Sequence, residues 1–396
     1  PVLHYNLGMN ITIDTMNVTL ADTPKTLAKV AAWLEKCSEV AVDTESNSLY
    51  VYYEQVCLLQ ASSEENHAIL DTLALKDLSS IAPIFSSKSI LKVFHASEYD
   101  IMCLKRDFGF EFNHIFDTMI AARILGRKEV GLAAMLESEL GIRLEKKYQK
   151  ANWGIRPIPE DMLKYAIHDT DYLIELKDKL EQELSERNLT ELAQEDFDRV
   201  CKTPSGQYAP ETTNWWKIAG NNHQLTVQQI GMLQAVCEWR ERIAKNMNIP
   251  VFKVMQNHVM LELCLNPPQS EEELANIKGM RKSLIEKEGK NLMKIFKTTD
   301  RDIRCIPRPP KTKIPCDSTL QRREHLRNWR KETGIKYDVP SDVILPRDIM
   351  EEIICKNPQN EAQLQSIMVD LPWRYRQFST EIIQLLNKLE QQKEFA

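Results

Sequence analysis

The pattern of the sequence changes near residue 201, and this change limits the fold more than any other feature of the chain. Before this point, short apolar runs rich in Val or Leu alternate with helical patterns, as is typical of a mixed α/β domain. Beyond it, strand patterns are absent and the helical patterns continue. We therefore predict an α/β domain of about 200 residues followed by all-α domains.

The apolar runs and the periodic segments give an approximate order of elements in the first domain. Buried strands are predicted at residues 39–42, 56–59, 67–70 and 90–94. Helices are predicted at residues 26–36, 100–106, 118–125, 132–140 and 160–184.

An internal repeat with an offset of 90 residues follows in the helical part. Residues 238–277 align without gaps with residues 328–367, and ten of the forty aligned positions are identical. Shared helicity alone rarely preserves Trp, Pro and Met in one register, so two related helical domains are predicted. The predicted boundaries are 1–200 for the α/β domain, 215–300 and 320–396 for the helical domains, and 301–319 for a Pro-rich basic linker.

The charges are distributed unevenly along the chain. The chain carries a net charge of −6, yet residues 278–331 contain 17 Lys or Arg against 6 Asp or Glu. Such a local excess of positive charge is typical of a phosphate-binding surface. A solvated linker and helix face is the alternative that charge alone leaves open.

Several classes of protein do not fit the composition. No apolar run approaches the roughly 18–20 residues that span a bilayer. Residues 1–10 lack the basic and then apolar layout of a secretory signal. The nine Cys residues form no CxxC pair, which fits reduced thiols better than a disulfide framework. We therefore expect a cytoplasmic protein without a membrane partner.

Acidic residues in three short stretches of the first domain are the strongest indication of function. Asp43 and Glu45 end a predicted strand, and period-two alternation puts both on one face. Asp169 lies on a predicted helix, and Asp100 begins another, where it also fits the role of an N-cap. Four carboxylates on three separate elements can converge to hold two divalent metal ions, which clamp the oxygens of a phosphodiester.

In their order and surroundings, these residues resemble the DEDD superfamily of 3′–5′ exonucleases. The resemblance implies an RNase H-like mixed sheet and two Mg²⁺ or Mn²⁺ ions as cofactors. It further implies that Asp43 bridges both ions, that Glu45 and Asp169 bind the ion that activates water, and that Asp100 holds the other ion.

Tyr165 identifies the branch of the superfamily that the chain resembles. It lies four residues before Asp169, on the same face of the predicted helix. The histidine-bearing branch places His five residues before the last Asp, where this chain has Lys164. The resemblance is therefore to the tyrosine-bearing branch, and it implies that Tyr165 orients or deprotonates the attacking water.

The same resemblance marks a set of candidate substrate contacts. His95 lies five residues before Asp100 and either contacts the terminal nucleotide or braces the strand. A later segment resembles one that closes over the 3′-terminal nucleotide. Its candidate substrate-binding residues are Lys146, Gln149, Trp153 and Arg156, and for Trp153 packing is the alternative.

The helical repeats resemble the HRDC domain, a nucleic-acid-binding module. An exonuclease followed by two such modules resembles the ribonuclease D family over nearly the whole chain. The resemblance implies a 3′–5′ exoribonuclease that trims tRNA precursors and other structured RNA with a single-stranded 3′ end, with no obligate protein partner. A DNA exonuclease of the same superfamily and a catalytically inactive RNA-binding scaffold are the alternatives.

Overall fold

The computed structural model of the protein describes residues 10–13, 16–206, 215–220, 225–298 and 316–394. The chain divides into two compact units, each assembled from separate stretches. The first unit takes residues 1–46, 56–206 and 314–396, and the second takes residues 47–55 and 207–313. In the described part of the chain, no helix is both long and apolar enough to cross a membrane.

A mixed sheet forms the centre of the first unit. Its strands within the described residues are β1 (Asn10–Ile13), β2 (Met16–Ala21), β3 (Glu39–Ser46), β4 (Val56–Ser62), β5 (His67–Asp71), β6 (Leu91–Phe94) and β7 (Ile115–Asp117). They lie in the order β1-β2-β5-β4-β3-β6-β7. β4 and β5 are buried along their whole lengths because apolar clusters pack against both faces of the sheet.

Helices before residue 206 surround this sheet and confirm the predicted α/β class. They are α1 (Pro24–Leu34), α2 (Ala82–Ser86), α3 (Glu98–Phe108), α4 (Thr118–Ile124), α5 (Leu132–Leu140), α6 (Glu160–Asp171), α7 (Leu173–Glu186) and α8 (Thr190–Cys201). The single helix predicted over residues 160–184 was wrong, because the segment forms α6 and α7 on either side of Tyr172. β1, β2 and β7 were not predicted, and each has only three to six residues.

The helical part contains the two predicted copies of one fold. The first copy has α9 (Trp215–Ala219), α10 (Val227–Met247), α11 (Val251–Val254), α12 (Asn257–Leu265), α13 (Glu271–Asn276) and α14 (Lys282–Thr298). The second has α15 (Asp317–Tyr337), α16 (Ser341–Ile344), α17 (Arg347–Lys356), α18 (Glu361–Ile367) and α19 (Pro372–Glu394). The first and last residues of α15 lie 90 positions after those of α10, which is the offset of the repeat. The same shift of 90 relates α16 to α11.

An arginine, buried in the first copy and half-buried in the second, makes the same contact in both. Arg240 donates a hydrogen bond of 2.9 Å to the carbonyl of Met255, and Arg330 donates one of 2.9 Å to the carbonyl of Leu345. The identities between the repeats therefore reflect a shared structural role. Of the predicted linker 301–319, residues up to 315 lie outside the described part, and residues 316–319 belong to the start of α15.

The second unit includes a short segment from the first half of the chain. Residues 47–55 connect β3 to β4 but belong to the unit that contains α9–α14. The Tyr52 hydroxyl donates a hydrogen bond to Glu241, and the Tyr52 backbone N–H donates one of 3.2 Å to the side chain of Asn248. The ammonium of Lys253 lies 4.1 Å from the ring centroid of Tyr50.

The second helical copy is part of the same unit as the sheet. Arg374 of α19 is 0% exposed and donates hydrogen bonds of 2.9 Å to Glu195 and 2.8 Å to Asp196, both on α8. Its Nε also donates to the carbonyl of Val343. Because the guanidinium is fully buried, these acceptors take the place of water for three of its five N–H groups.

Removal of the Arg374 charge is expected to destabilise the first unit strongly. Arg374→Met keeps much of the side-chain volume but leaves Glu195, which is 5% exposed, without its ion-pair partner. Breaking a buried pair in this way typically costs about 3–5 kcal/mol. We expect a loss of this size in urea unfolding of the full chain.

Arg376→Met is the matched control on the same helix. Arg376 pairs with Glu191, but their side chains are 54% and 69% exposed, so the loss should stay below about 1 kcal/mol. Equal losses for the two variants would contradict a special role of the buried pair.

Candidate active site

The first two acids lie where β3 leaves the core. Val40, Ala41 and Val42 are buried, and the residues that follow them are half-buried. Asp43 and Glu45 are two residues apart and share one face of the strand, as the alternation predicts. The strand therefore anchors both carboxylates while leaving them partly open to solvent.

Helix α6 brings the third acid and the tyrosine to the same place. It packs against β3, β4 and β5. One carboxylate oxygen from each of Asp43, Glu45 and Asp169 lies within 4.8 Å of the other two. The Tyr165 hydroxyl donates a hydrogen bond to Asp169 one helical turn further on. The spacings predicted from sequence are therefore present in the structure.

Asp100 approaches from a third element. It lies in the first turn of α3, is 7% exposed and accepts a hydrogen bond from the Thr44 hydroxyl. Its charge raises the pKa of Asp43, so the two carboxylates are neighbours. The N-cap position belongs to Ser97, and Asp100 is a residue of the helix itself.

Asp117, which was not among the predicted site residues, holds the turn that leads to Asp100. This 1% exposed carboxylate accepts hydrogen bonds of 2.7 Å from both the backbone N–H and the hydroxyl of Ser97. It accepts another of 3.2 Å from the N–H of Ala96, whose φ is 62°. Asp117 also caps α4. An Asp directly before a predicted helix was the available signal.

The surroundings of the four acids favour their protonated forms in the absence of a cation. Burial raises the pKa of Asp43 well above its usual range, and repulsion from Asp100, Asp169 and Glu45 adds to the effect. Burial and the same kind of repulsion raise the pKa of Glu45 to about 9. Burial raises the pKa values of Asp100 and Asp169 to about 7 each.

A divalent cation fits this donor set. The ligand atoms would be carboxylate oxygens, which hard cations such as Mg²⁺ prefer. Bringing a positive charge between the acids offsets both their repulsion and their loss of hydration. Asp43, Glu45 and Asp169 are the residues of the described chain close enough together to share one ion.

Three predicted substrate contacts lie outside the acidic cluster. Lys146 and Gln149 are exposed in the segment between α5 and α6, where their side chains are free to meet a ligand. The Nδ1 atom of His95 lies 2.8 Å from the Thr118 hydroxyl, which in turn donates to the carbonyl of Phe94. Burial lowers the pKa of His95, so its imidazole is neutral at pH 7.

The other two predicted contacts have structural partners. Trp153 is 1% exposed and packs among the apolar residues beneath α6. All five N–H groups of the Arg156 guanidinium donate within the protein, to Asp71 and to the carbonyls of Cys57, Trp153 and Ile155. These arrangements favour packing and bracing over nucleotide contact for both residues.

A cavity of about 410 Å³ opens beside the acids. Tyr165 and Asp169 line one side of it, and Lys147, Tyr148 and Lys164 line the other parts. The rings of Tyr148 and Tyr165 meet edge to face at 5.9 Å. The lining contains three cations, Arg143, Lys147 and Lys164, and three acids, Glu145, Asp161 and Asp169.

Two family models match the chain. The first, described as a 3′–5′ exonuclease, matches residues 18–185. The second, the HRDC domain, matches residues 229–296 and again residues 319–386. A ribonuclease D from Sphingobium indicum is 26% identical over 379 residues, which cover 91% of this chain and 92% of the relative.

Solved structures of similar fold agree with these matches. The catalytic core of RRP6 from Trypanosoma brucei superposes with a TM-score of 0.64 at 28% identity, covering 74% of this chain and 83% of that one. Escherichia coli RNase D, at 23% identity, superposes with a TM-score of 0.68 over 94% of this chain and 99% of its own. At 23% identity, the similarity to Escherichia coli RNase D shows a shared fold.

The mixed sheet, the converging acids and the two helical modules define a 3′–5′ exonuclease with two HRDC domains. The chain is similar to ribonuclease D over most of its length. The match to the 3′–5′ exonuclease model implies dependence on a divalent metal, for which the acidic cluster supplies suitable ligands.

The raised pKa values make the stability of the metal-free protein depend on pH. In the folded state the pKa values of Asp100 and Asp169 are raised to about 7 and that of Glu45 to about 9. Carboxyl groups of the unfolded chain have pKa values of about 4. Between these values the folded state binds more protons than the unfolded state, so stability falls as pH rises. We expect the melting temperature in chelator to fall between about pH 5 and pH 9.

Mn²⁺ should raise the melting temperature again, because its positive charge replaces that of the protons that the acids have lost. The increase should be larger at pH 9 than at pH 5. Asp43→Asn removes one repelling charge and should flatten the pH dependence in chelator. Scanning calorimetry of both proteins across the pH range checks this. Identical slopes for the variant and the original protein would mean that other groups cause the dependence.

Proposed function

We propose that the chain is a metal-dependent 3′–5′ exoribonuclease that releases 5′-mononucleotides. The observation that carries the proposal is the cluster of Asp43, Glu45 and Asp169 within an exonuclease fold. Relatives named ribonuclease D support RNA as the substrate. In this proposal the nuclease domain spans residues 1–200 and the HRDC domains span residues 215–300 and 320–396. The cysteines of the described residues form no disulfide, which fits a reducing compartment, and we propose the cytoplasm.

The four acids are proposed to hold two divalent ions, Mg²⁺ or Mn²⁺. Such ions, when bound, neutralise the charge that develops on the oxygens of a phosphodiester during hydrolysis. Asp43 would help to hold both ions, because repulsion from Asp100, Asp169 and Glu45 contributes to its raised pKa and these carboxylates are therefore its neighbours. Glu45 and Asp169 would hold one ion together with Asp43, and Asp100 would contribute to holding the other.

Tyr165 is proposed to orient the attacking water. Its hydroxyl donates to Asp169, and burial together with the nearby acids raises the pKa of the phenol above its usual value. The phenol therefore keeps its proton near neutral pH, and its oxygen is available as a hydrogen-bond acceptor for water. Its ring also packs against Tyr148 and Trp153, which fixes the position of the hydroxyl.

The proposed substrates are precursors of tRNA and other stable RNA with a single-stranded 3′ end. Lys146 and Gln149 are proposed to contact the terminal nucleotide, and His95, Trp153 and Arg156 to shape its surroundings. Exposed cations on α14, and one directly before it, are proposed to bind phosphates of the folded RNA body. They are Arg281, Lys282, Lys287 and Lys290.

Incubation with a 3′-extended tRNA, a short RNA strand and the matching DNA strand tests the substrate class. We expect stepwise 5′-mononucleotide release from both RNAs in Mg²⁺ or Mn²⁺ and little release from DNA. Added salt should slow the reaction on the tRNA more than on the short strand, because the folded body offers more phosphate contacts. Equal rates on RNA and DNA would favour the DNA exonuclease alternative.

Asp169→Asn distinguishes an enzyme from an inactive scaffold in the same assay. The substitution removes a proposed ligand charge and should abolish turnover. Asp171→Asn is the control on the same helix, because Asp171 lies outside the acidic cluster. Its Oδ1 lies 3.9 Å from Nε2 of His67. Turnover by Asp169→Asn at the original rate in saturating metal would remove Asp169 from the proposed ligands.

Tyr165→Phe tests the proposed role of the hydroxyl. The substitution keeps the ring and its packing but removes the group that orients water. Positioning and general base roles contribute about 10²–10⁴-fold to rate. We expect a loss of that order in kcat, with KM nearly unchanged, in steady-state assays on the short RNA strand. A loss below about threefold would make Tyr165 a packing residue.

A further inference from the structure

Gln60, in the middle of β4, is a buried polar residue that the fold leaves without partners. It is 0% exposed, and neither its side-chain oxygen nor its side-chain nitrogen has a hydrogen-bond partner among the described residues. Ser62, two residues further along the strand, does have partners. Its Oγ lies 2.7 Å from Oγ1 of Thr170 and 3.0 Å from Nδ1 of His67, both within hydrogen-bond distance. Burying an amide without partners costs stability, so the position needs another explanation.

The register of the sheet puts Gln60 next to the acids. In the antiparallel pair of β3 and β4, Gln60 lies directly opposite Asp43, and Leu58 lies opposite Glu45. Opposite residues of an antiparallel pair point to the same face, with Cβ atoms about 4.5–5.5 Å apart. Ser62, two residues further along that face, bonds Thr170, the residue after Asp169. The Gln60 side chain therefore lies on the face that carries the acidic cluster and is covered by α6.

We propose that Gln60 is a positioning residue for Asp43. Its amide N–H donates a hydrogen bond to the Asp43 carboxylate when that carboxylate is ionised and holds a metal. An ionised carboxylate is only an acceptor, and a primary amide offers two donors. The inference rests on the proposed metal-dependent function, and it assigns to β4 a part in the site.

The neutral amide suits this position for an electrostatic reason. A fifth carboxylate opposite Asp43 would add to the repulsion among the four acids, and a lysine would compete with the metal for them. A glutamine fixes the orientation of the carboxylate without changing the charge of the site. Outer partners of this kind typically alter metal affinity by about 10–100-fold when they are removed.

Gln60→Met tests the inference in the full-length protein. Methionine has a similar length and volume but no hydrogen-bonding amide. We expect Mn²⁺ affinity, measured by titration calorimetry without RNA, to fall by about 10–100-fold. The melting temperature in chelator should stay the same or rise, because an unpartnered buried amide is removed. Gln60→Leu should give the same pair of results if the methionine variant does not fold.

Ser62→Ala is the matched control, since Ser62 is buried on the same face and has partners. We expect it to lower the melting temperature in chelator and to leave Mn²⁺ affinity unchanged. A Gln60→Met protein that binds Mn²⁺ like the original protein would overturn the role of Gln60 and leave the proposed function standing. Failure of the original protein to bind Mn²⁺ would overturn the metal-dependent function itself.

Discussion

Mutual repulsion among closely placed carboxylates is the constraint on which the structure around the site depends. Burial raises the pKa values of all four carboxylates, which belong to Asp43, Glu45, Asp100 and Asp169. Repulsion from the neighbouring acids raises the pKa values of Asp43 and Glu45 further. Left to themselves, the groups would separate. They stay together because each lies on a helix or strand of the fold, and because Asp117 fixes the turn before α3 through three hydrogen bonds. Two further hydrogen bonds to Asp117 cap α4. The fold thus holds a charge arrangement that becomes favourable only with a cation.

Local rules predicted the parts of the site that are close in sequence. Alternation along a strand placed Asp43 and Glu45 on one face, and helical spacing placed Tyr165 beside Asp169. The apolar runs located β3 to β6 because buried strands in a covered sheet are apolar along their length. The internal repeat predicted the helical domains for a similar reason, since the paired contacts of Arg240 and Arg330 preserve the same residues in each copy.

Contacts between distant residues account for what the sequence did not reveal. The partners of Arg156 include Asp71, 85 residues earlier, and no local pattern connects them. Likewise, nothing in the sequence of residues 47–55 indicates that they join the unit of α9–α14. The position of Gln60 opposite Asp43 follows only from the register of β3 and β4, which a single sequence does not specify.

The buried pair of Glu195 and Arg374 has a consequence for biosynthesis. The two residues are 179 positions apart, so at roughly 5–20 residues per second Arg374 is synthesised about 10–40 s after Glu195. During this interval α8 exists without the helix that covers its carboxylates. The sheet and its acids can form early in translation, but the first unit is complete only when the last helix has left the ribosome. A nascent chain therefore passes through a stage in which the nuclease half is exposed to chaperones and proteases.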